Sequence, residues 1–349
     1  VKNEEETLAR CLESVKPAMD EIIIVDTGST DSTKEIALQY TDKVYDFAWI
    51  DDFGAARNFA FSHATQDYIM WLDADDVLLE NDLQKLLSLK QDLDFTVDSV
   101  TMNYNLASDE NGNIVSSLRR NRLVKRTRHF QWVGAVHEYL AINGNVINGD
   151  ITVTHKKERC DTADRNLKIY ENRLANGETF SPRDLFYYAN ELVDHQMYET
   201  AVQYYQKFLG TELGWVEDNI SACGKLADCF GHLGDEQQKL KYIYKSFEYD
   251  TPRPDFCCRL GYHFLNSKKY SSAIFWYKLA LDLKDSSNHS SLKNYACSTW
   301  LPHLQLCVCY SKLGDNETAL EHNKSAESYV PNHPSVLYNK EYFEKLFNS

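Results

Sequence analysis

Asp73, Asp75 and Asp76 crowd one short stretch, directly after the apolar run Tyr68-Ile69-Met70-Trp71-Leu72. Carboxylates packed this closely repel one another unless a cation sits among them. A hard divalent ion, Mn2+ or Mg2+, would relieve that repulsion and bridge to phosphate oxygens. Acids at a strand end also cap a following helix, the part that suits Asp76. A second polar cluster, Asp26-Thr27-Gly28-Ser29-Thr30-Asp31-Ser32, follows the apolar run Ile22-Ile23-Ile24-Val25. Gly28 allows close backbone approach to a ligand, and Ser29, Thr30 and Asp31 offer partners for a base or ribose. Ser32 and Glu35 also stand at capping-box spacing, which leaves Asp26 unexplained. Arg119, Arg120, Arg122, Lys125, Arg126 and Arg128 form the densest basic run. It suits either a solvated strand face or stabilisation of a departing anion, with Arg122 the candidate for the latter.

The elements that must position these residues follow two patterns. Up to about residue 155, short apolar runs alternate with amphipathic stretches, the pattern of a mostly parallel sheet covered by helices. Strands are expected at 21–26, 44–47, 68–73, 99–104, 122–125 and 151–155, and helices at 4–16, 32–41 and 55–65. After about residue 160 the chain reads as helical pairs with internal repeats. Ala189, Leu192, Ala201, Tyr205 and Phe208 make one unit, and Leu226-Ala227, Phe230 and Ile243 the next. Leu260-Gly261, Phe264, Ala273, Tyr277 and Ala280, then Leu306, Tyr310, Ala319, Ala326 and Pro331, make two more. The first small position, at Ala189, Ala227, Gly261 and Cys307, advances by 38, 34 and 46 residues. That is tetratricopeptide spacing with insertions, and four pairs exceed the three that a stable solenoid needs. Unrelated amphipathic helices of a bundle are the plainer alternative.

At 349 residues and 43% apolar side chains, the chain is long enough for two cores. A net charge of −15 opposes sequence-independent binding of nucleic acid. The nine cysteines lack the two-residue gap of zinc or redox motifs and read as small apolar residues of a reducing compartment. No apolar window reaches membrane-spanning length, so a cytoplasmic protein is expected. The sequence opens without Met in what reads as a strand end, so a short preceding piece with most of a first strand is expected.

Four motifs in order, Lys2-Asn3-Glu4-Glu5, Val25-Asp26-Thr27-Gly28-Ser29-Thr30-Asp31, Phe53-Gly54-Ala55-Ala56-Arg57-Asn58 and Leu72-Asp73-Ala74-Asp75, resemble glycosyltransferase family 2 over roughly residues 1–155. Trp132-Val133-Gly134-Ala135-Val136-His137-Glu138, a downstream His and the helical repeats resemble a bacterial subgroup of that family. The resemblance implies an α/β GT-A domain at 1–158, its first strand truncated, followed by an all-α tetratricopeptide-like solenoid at 159–349. It implies inverting transfer of a single sugar from a nucleotide diphosphate sugar, a UDP-hexose, since the Gln-x-x-Arg-Trp signature of processive members is absent. Asn3, Glu4, Asp26, Thr27, Ser29, Arg57, Asp73, Asp75 and Arg122 are then the nucleotide-sugar contacts, and Asp75, Asp73 and His155 the ligands of a divalent metal, Mn or Mg. Thr27 stands where many members carry a second Asp that reads uracil, which leaves the base less defined than the diphosphate. Glu138 is the first candidate for the base that takes the acceptor's proton and His137 the second; a surface Glu and a core His are the plain alternative. Peptide, carbohydrate and lipid-linked acceptors remain open, with the repeats favouring a polypeptide or else a homodimer contact. The rival readings are a tetratricopeptide scaffold with a non-catalytic nucleotide-sugar-binding domain, and a nucleotidyltransferase, whose basic Gly-rich phosphate loop is missing at Val1–Arg10.

Overall fold

The computed structural model describes residues 1–108, 114–156, 164–283 and 294–348. These divide into two compact units, Val1–Thr179 and Phe180–Ser349.

The first unit is α/β. Its elements are α1 (Leu8–Val15), β1 (Ile24–Asp26), α2 (Thr33–Ala37), β2 (Val44–Asp46), α3 (Phe53–Ser62), β3 (Tyr68–Met70), β4 (Asp76–Leu78), α4 (Glu80–Asp92), β5 (Ser99–Ser108), β6 (Ile114–Lys125), β7 (Trp132–Val133), β8 (Tyr139–Leu140), β9 (Val146–His155) and α5 (Arg165–Ala175). β1 pairs with β2 in parallel, and a five-stranded sheet runs β3-β6-β5-β9-β4. In that sheet only β5–β9 is parallel, while β3–β6, β5–β6 and β4–β9 are antiparallel. The expected mostly parallel sheet is therefore corrected to a mixed one. Five residues separate β5 from β6 in the sequence, far fewer than a parallel crossover requires. Val15, Leu78, Leu83, Leu86, Met102, Ile151 and Val153 make the main core, joining α1 and α4 to strands β4, β5 and β9. The helix expected at 4–16 starts only at Leu8, because the preceding residues form a loop tied to the turn after β1. Strands β4, β7 and β8 were not foreseen, and α4 was expected only as a helix following Asp76, without bounds.

Among the described residues the second unit is built of helices and the turns between them. Pairs α6 (Pro182–Asp194) with α7 (Tyr198–Gly210), α8 (Val216–His232) with α9 (Glu236–Lys245), α10 (Pro254–Asn266) with α11 (Tyr270–Asp282), and α12 (Trp300–Lys312) with α13 (Asn316–Tyr329) are followed by α14 (Pro334–Phe347). Each pair turns on three residues, the middle one left-handed: Gln196, Gly234, Lys268 and Gly314. In all four turns the next N–H reaches back to a helical carbonyl: Met197 to Leu192 at 2.8 Å, Asp235 to Phe230 at 2.9 Å, Lys269 to Phe264 at 2.9 Å and Asp315 to Tyr310 at 3.0 Å. This recurring Schellman-type closure satisfies carbonyls that a helix end would otherwise leave unpaired. The repeat positions read from the sequence are core positions: Ala189, Leu192, Ala201, Tyr205, Leu226, Ala227, Leu260, Ala273, Leu306 and Ala319 are all buried. This half is a tetratricopeptide-like array. The eight described cysteines are free and buried, as small apolar residues would be. Among the described residues no helix is long and apolar enough to cross a membrane.

Candidate active site of the N-terminal unit

The acidic stretch folds into a tight turn between β3 and β4. Asp76 N–H donates to the Asp73 carbonyl at 3.0 Å, and Asp73 N–H donates back to Asp76 Oδ2 at 3.1 Å. Lys156 N–H donates to the Asp75 carbonyl at 2.8 Å, which ties the turn to the end of β9 and hence to His155. Asp76 is fully buried and belongs to β4, whereas α4 is capped at Leu79, so the helix-capping part expected for Asp76 is not the one it plays. Its Oδ2 also receives Arg122 Nη1 at 2.9 Å.

Arg57, on α3, joins the turn to the loop after β7. Its Nη2 donates to Asp73 Oδ1 at 2.6 Å and its Nε to Glu138 Oε1 at 2.7 Å. The guanidinium also lies over Trp71 and Trp132, 5.0 and 4.7 Å from the ring centres. Stacking of this kind holds a cation where few hydrogen-bond acceptors are available. Burial alone would push the Asp73 carboxyl up, but Arg57, and then Arg122, overcome it and hold the group at about 2. Desolvation opposes the charge of Arg57, yet Asp73 and Glu138 raise its pKa further.

The loop carrying His137 and Glu138 is pinned from α3. Asn58 donates to the Trp132 carbonyl at 2.9 Å and accepts the Trp132 N–H at 2.8 Å, and Phe53 N–H donates to the Ala135 carbonyl at 2.8 Å. Gly54 has no room for a side chain, since a Cβ there would lie 2.6 Å from the Gly134 carbonyl oxygen. His137 takes a left-handed backbone, φ 50°, and is half-buried beside Glu138.

His155 Nδ1 stands 3.4 Å from Asp75 Oδ1, 3.4 Å from Asp76 Oδ1 and 3.2 Å from the Tyr104 hydroxyl. The Asp75 and Asp76 carboxylates raise its pKa to about 10, against the cost of burial, so the ring carries a proton in the ligand-free protein. Ligand atoms of Asp75, Asp76 and His155 lie within 4.8 Å of one another. Asp73, Asp75, Asp76 and Glu138 bring four negative charges, and Arg57 and Arg122 return two. With neutral His155 the excess of two negative charges, together with two oxygens and a nitrogen at short range, fits a divalent cation that would take the place of the imidazole proton.

The other expected contacts converge on the turn after β1. Both Asp26 oxygens accept the Ser29 N–H at 2.9 Å, and Asp26 is buried. Ser29 Oγ accepts the Asn3 N–H at 2.9 Å, and Asn3 Oδ1 accepts the Thr30 N–H at 2.8 Å. Glu4 N–H donates to Thr33 Oγ1 at 2.7 Å, and the Thr27 hydroxyl donates to the Val1 carbonyl at 3.1 Å. The capping box expected from Ser32 and Glu35 does not form; Asp31 accepts the Thr33 N–H instead. Arg122 departs most from expectation. It is fully enclosed and spends its charge on Asp76, so it offers no surface to a diphosphate. The basic run around it is mostly structural: Arg119 bonds Thr101, Asn103 and Gly149, and Arg126 the Gln66 carbonyl. Trp71 and Tyr104 were missed, and no spacing signal marks Tyr104.

A glycosyltransferase domain is the class with which this turn, the acidic cluster and the mixed sheet agree. Residues 1–142 match the family model "Glycosyl transferase family 2", and the N-terminal unit belongs to that family. The chain is 28% identical over 221 residues to the SPbeta prophage-derived glycosyltransferase SunS of Bacillus subtilis, covering 59% of this chain and 51% of that protein. It is 46% identical over 100 residues to a TPR repeat-containing protein of Synechococcus elongatus, covering 28% of this chain and 25% of that one. The chain thus spans a quarter to about half of the length of these relatives. Among solved structures, the TPR protein YrrB superposes with a TM-score of 0.40 at 16% identity, over 52% of this chain and 84% of that one.

Proposed function

We propose that the chain is an inverting glycosyltransferase that moves a single hexose from a nucleotide diphosphate sugar, a UDP-hexose, onto a side chain of a peptide or protein. The observation that carries this reading is Arg57, which joins the Asp73 carboxylate to Glu138 and so sets a donor-side acid beside an acceptor-side base. Asp26 and the Asn3-Glu4 and Thr27-Ser29 loops line the nucleoside side. Asp75 and His155, with Asp73 facing the diphosphate, would hold the divalent cation, which when bound neutralises phosphate charge.

Glu138 takes the proton from the acceptor hydroxyl or thiol as that atom attacks the anomeric carbon. The new bond forms on one face while the anomeric carbon–oxygen bond to the diphosphate breaks on the other. The bonding pair leaves with the nucleoside diphosphate, and the configuration inverts. Arg57 engages only Oε1 of Glu138, and among the described residues no hydrogen bond falls on Oε2, the oxygen suited to receive the proton. His137, the neighbouring residue, is the second candidate.

The test is a thermal-shift screen of sugar nucleotides with Mn2+, then mass spectrometry of candidate peptides. Asp75→Ala should abolish donor turnover while the helical half stays folded, and retained metal-dependent turnover would sink the assignment. Glu138→Gln should lower kcat much more than donor affinity; equal losses in both remove its role as base.

A further inference from the structure

Arg122 and Asp76 form an ion pair with no exposed surface on either partner. An enclosed pair of this kind is a poor source of stability, because desolvation offsets most of the attraction. Arg122 is not even fully hydrogen-bonded. Its Nε and Nη2 have no partner, and the guanidinium lies between Trp71 and Tyr104, 3.9 and 4.2 Å from the ring centres. Two of its neighbours belong to the site. The Tyr104 hydroxyl meets His155 Nδ1 at 3.2 Å, and Trp71 precedes the acidic turn and accepts Arg122 Nη1 on its carbonyl at 3.3 Å. Asp76 Oδ2 is taken by Arg122 and the Asp73 N–H, which leaves Oδ1 facing His155 at 3.4 Å.

We infer that Arg122 is a positioning residue, which through Asp76 Oδ2 holds Asp76 Oδ1 in fixed register with Asp75 and the His155 imidazole so that these three groups receive a divalent cation. Arg122 acts from beneath the site and touches no substrate, in place of the diphosphate contact expected of it. Asp76 Oδ1 faces the same ring nitrogen as Asp75, so it stands among the ligands, with Arg122 as its hydrogen-bond partner; losing a partner that holds a ligating carboxylate costs about 10- to 100-fold in metal affinity. Arg122 contributes a planar fork that stacks between two rings, which a lysine cannot reproduce. The inference rests on the metal reading given above.

The experiment measures Mn2+ binding to the full chain, without nucleotide, by calorimetry and by electron paramagnetic resonance, alongside melting curves. Arg122→Lys keeps the charge beside Asp76 and every proposed ligand but loses the planar fork, and the melting curve reports whether it folds. Its Mn2+ affinity should fall about 10- to 100-fold. A folded Arg122→Lys variant that binds Mn2+ as wild type does shows a purely structural pair and overturns the inference. Should that variant not fold, Arg122→Gln keeps a donor toward Asp76, and a wild-type Mn2+ affinity in it overturns the inference equally. His155→Ala is the reference: if it binds as tightly as wild type, or if wild type binds no Mn2+, the metal reading itself fails and the positioning role falls with it.

Discussion

Gly54→Ala is expected to disable the site without touching any residue assigned to chemistry. A Cβ at Gly54 would stand 2.6 Å from the Gly134 carbonyl oxygen and 3.3 Å from Asp52 Oδ1, the side chain that caps α3. The helix cannot yield easily, being held by that cap and by the Asn58 clamp on Trp132. The Gly134 loop must therefore move, by roughly 0.8 Å to regain ordinary contact. Glu138 follows four residues on and packs close to Gly134, so it moves too. Displacement of a reacting group by about 1 Å costs on the order of 100-fold in rate, and kcat should fall roughly 30- to 100-fold. Overpacking should cost about 1–3 kcal/mol in stability. The assay is donor turnover at saturating donor, paired with calorimetric donor affinity and a melting curve. Donor affinity should change little, because Asp26 and Asp75 stay in place. A folded variant with kcat within threefold of wild type would refute the link between α3 and the base.

The Glu21 carboxyl should make stability depend on acid pH. Burial pushes it up, but Lys43 and the Thr65 N–H and hydroxyl overcome this and hold it at about 2. The folded pKa is depressed, so the stabilisation is complete above the unfolded value near 4.3 and is lost as pH falls toward about 2. Glu21→Gln should then cost about 1–2 kcal/mol at pH 6, with the gap to wild type shrinking between pH 4.5 and 3 in urea melts; a constant gap counts against it. Lys268→Gly, or Gln196→Gly, should stabilise the helical unit by about 0.5–1 kcal/mol by relieving a left-handed backbone that Gly234 and Gly314 already occupy at the matching turns. A lower melting temperature in both would contradict that. Gly261→Ala should destabilise the same unit by about 1–3 kcal/mol, since its Cβ would lie 2.6 Å from the Tyr277 ring; an unchanged denaturant midpoint would mean that the ring moves aside freely.

The helical half was the more legible in sequence, for a physical reason. The four units bury residues at matching offsets, Ala189, Ala227, Gly261 and Cys307 among them, so the periodicity is repeated and visible. The sheet was less legible. Strand β4 is three residues long and is defined by pairing with β9, 75 residues or more away in sequence, so no local pattern announces it. The acids were visible as a group, but their division of labour was not. Asp76 looked like the dispensable cap and is the most buried of the three, because its partner Arg122 comes from a distant strand. Arg122 was singled out for its place in a basic run, whereas what decides its role is enclosure by Trp71 and Tyr104, a tertiary fact.

Arg57 shows why motif order was informative even where individual roles were incomplete. Read as one motif among four, it was given to the nucleotide alone. In the fold it is the one described cation paired to both Asp73 and Glu138, so the donor-side and acceptor-side carboxylates share a single positive charge. Groups that share a partner do not act independently, and removing one changes the electrostatics of the other. The spacing of 16 and 81 residues from Arg57 to these two acids cannot be read as a pair from sequence. It is made by α3 lying against the β7 loop, which Gly54 permits and Asn58 fixes. The Phe53-Gly54-Ala55-Ala56-Arg57-Asn58 motif is thus one device: a glycine for close approach, an asparagine for the backbone clamp, and an arginine that the other two deliver to both carboxylates.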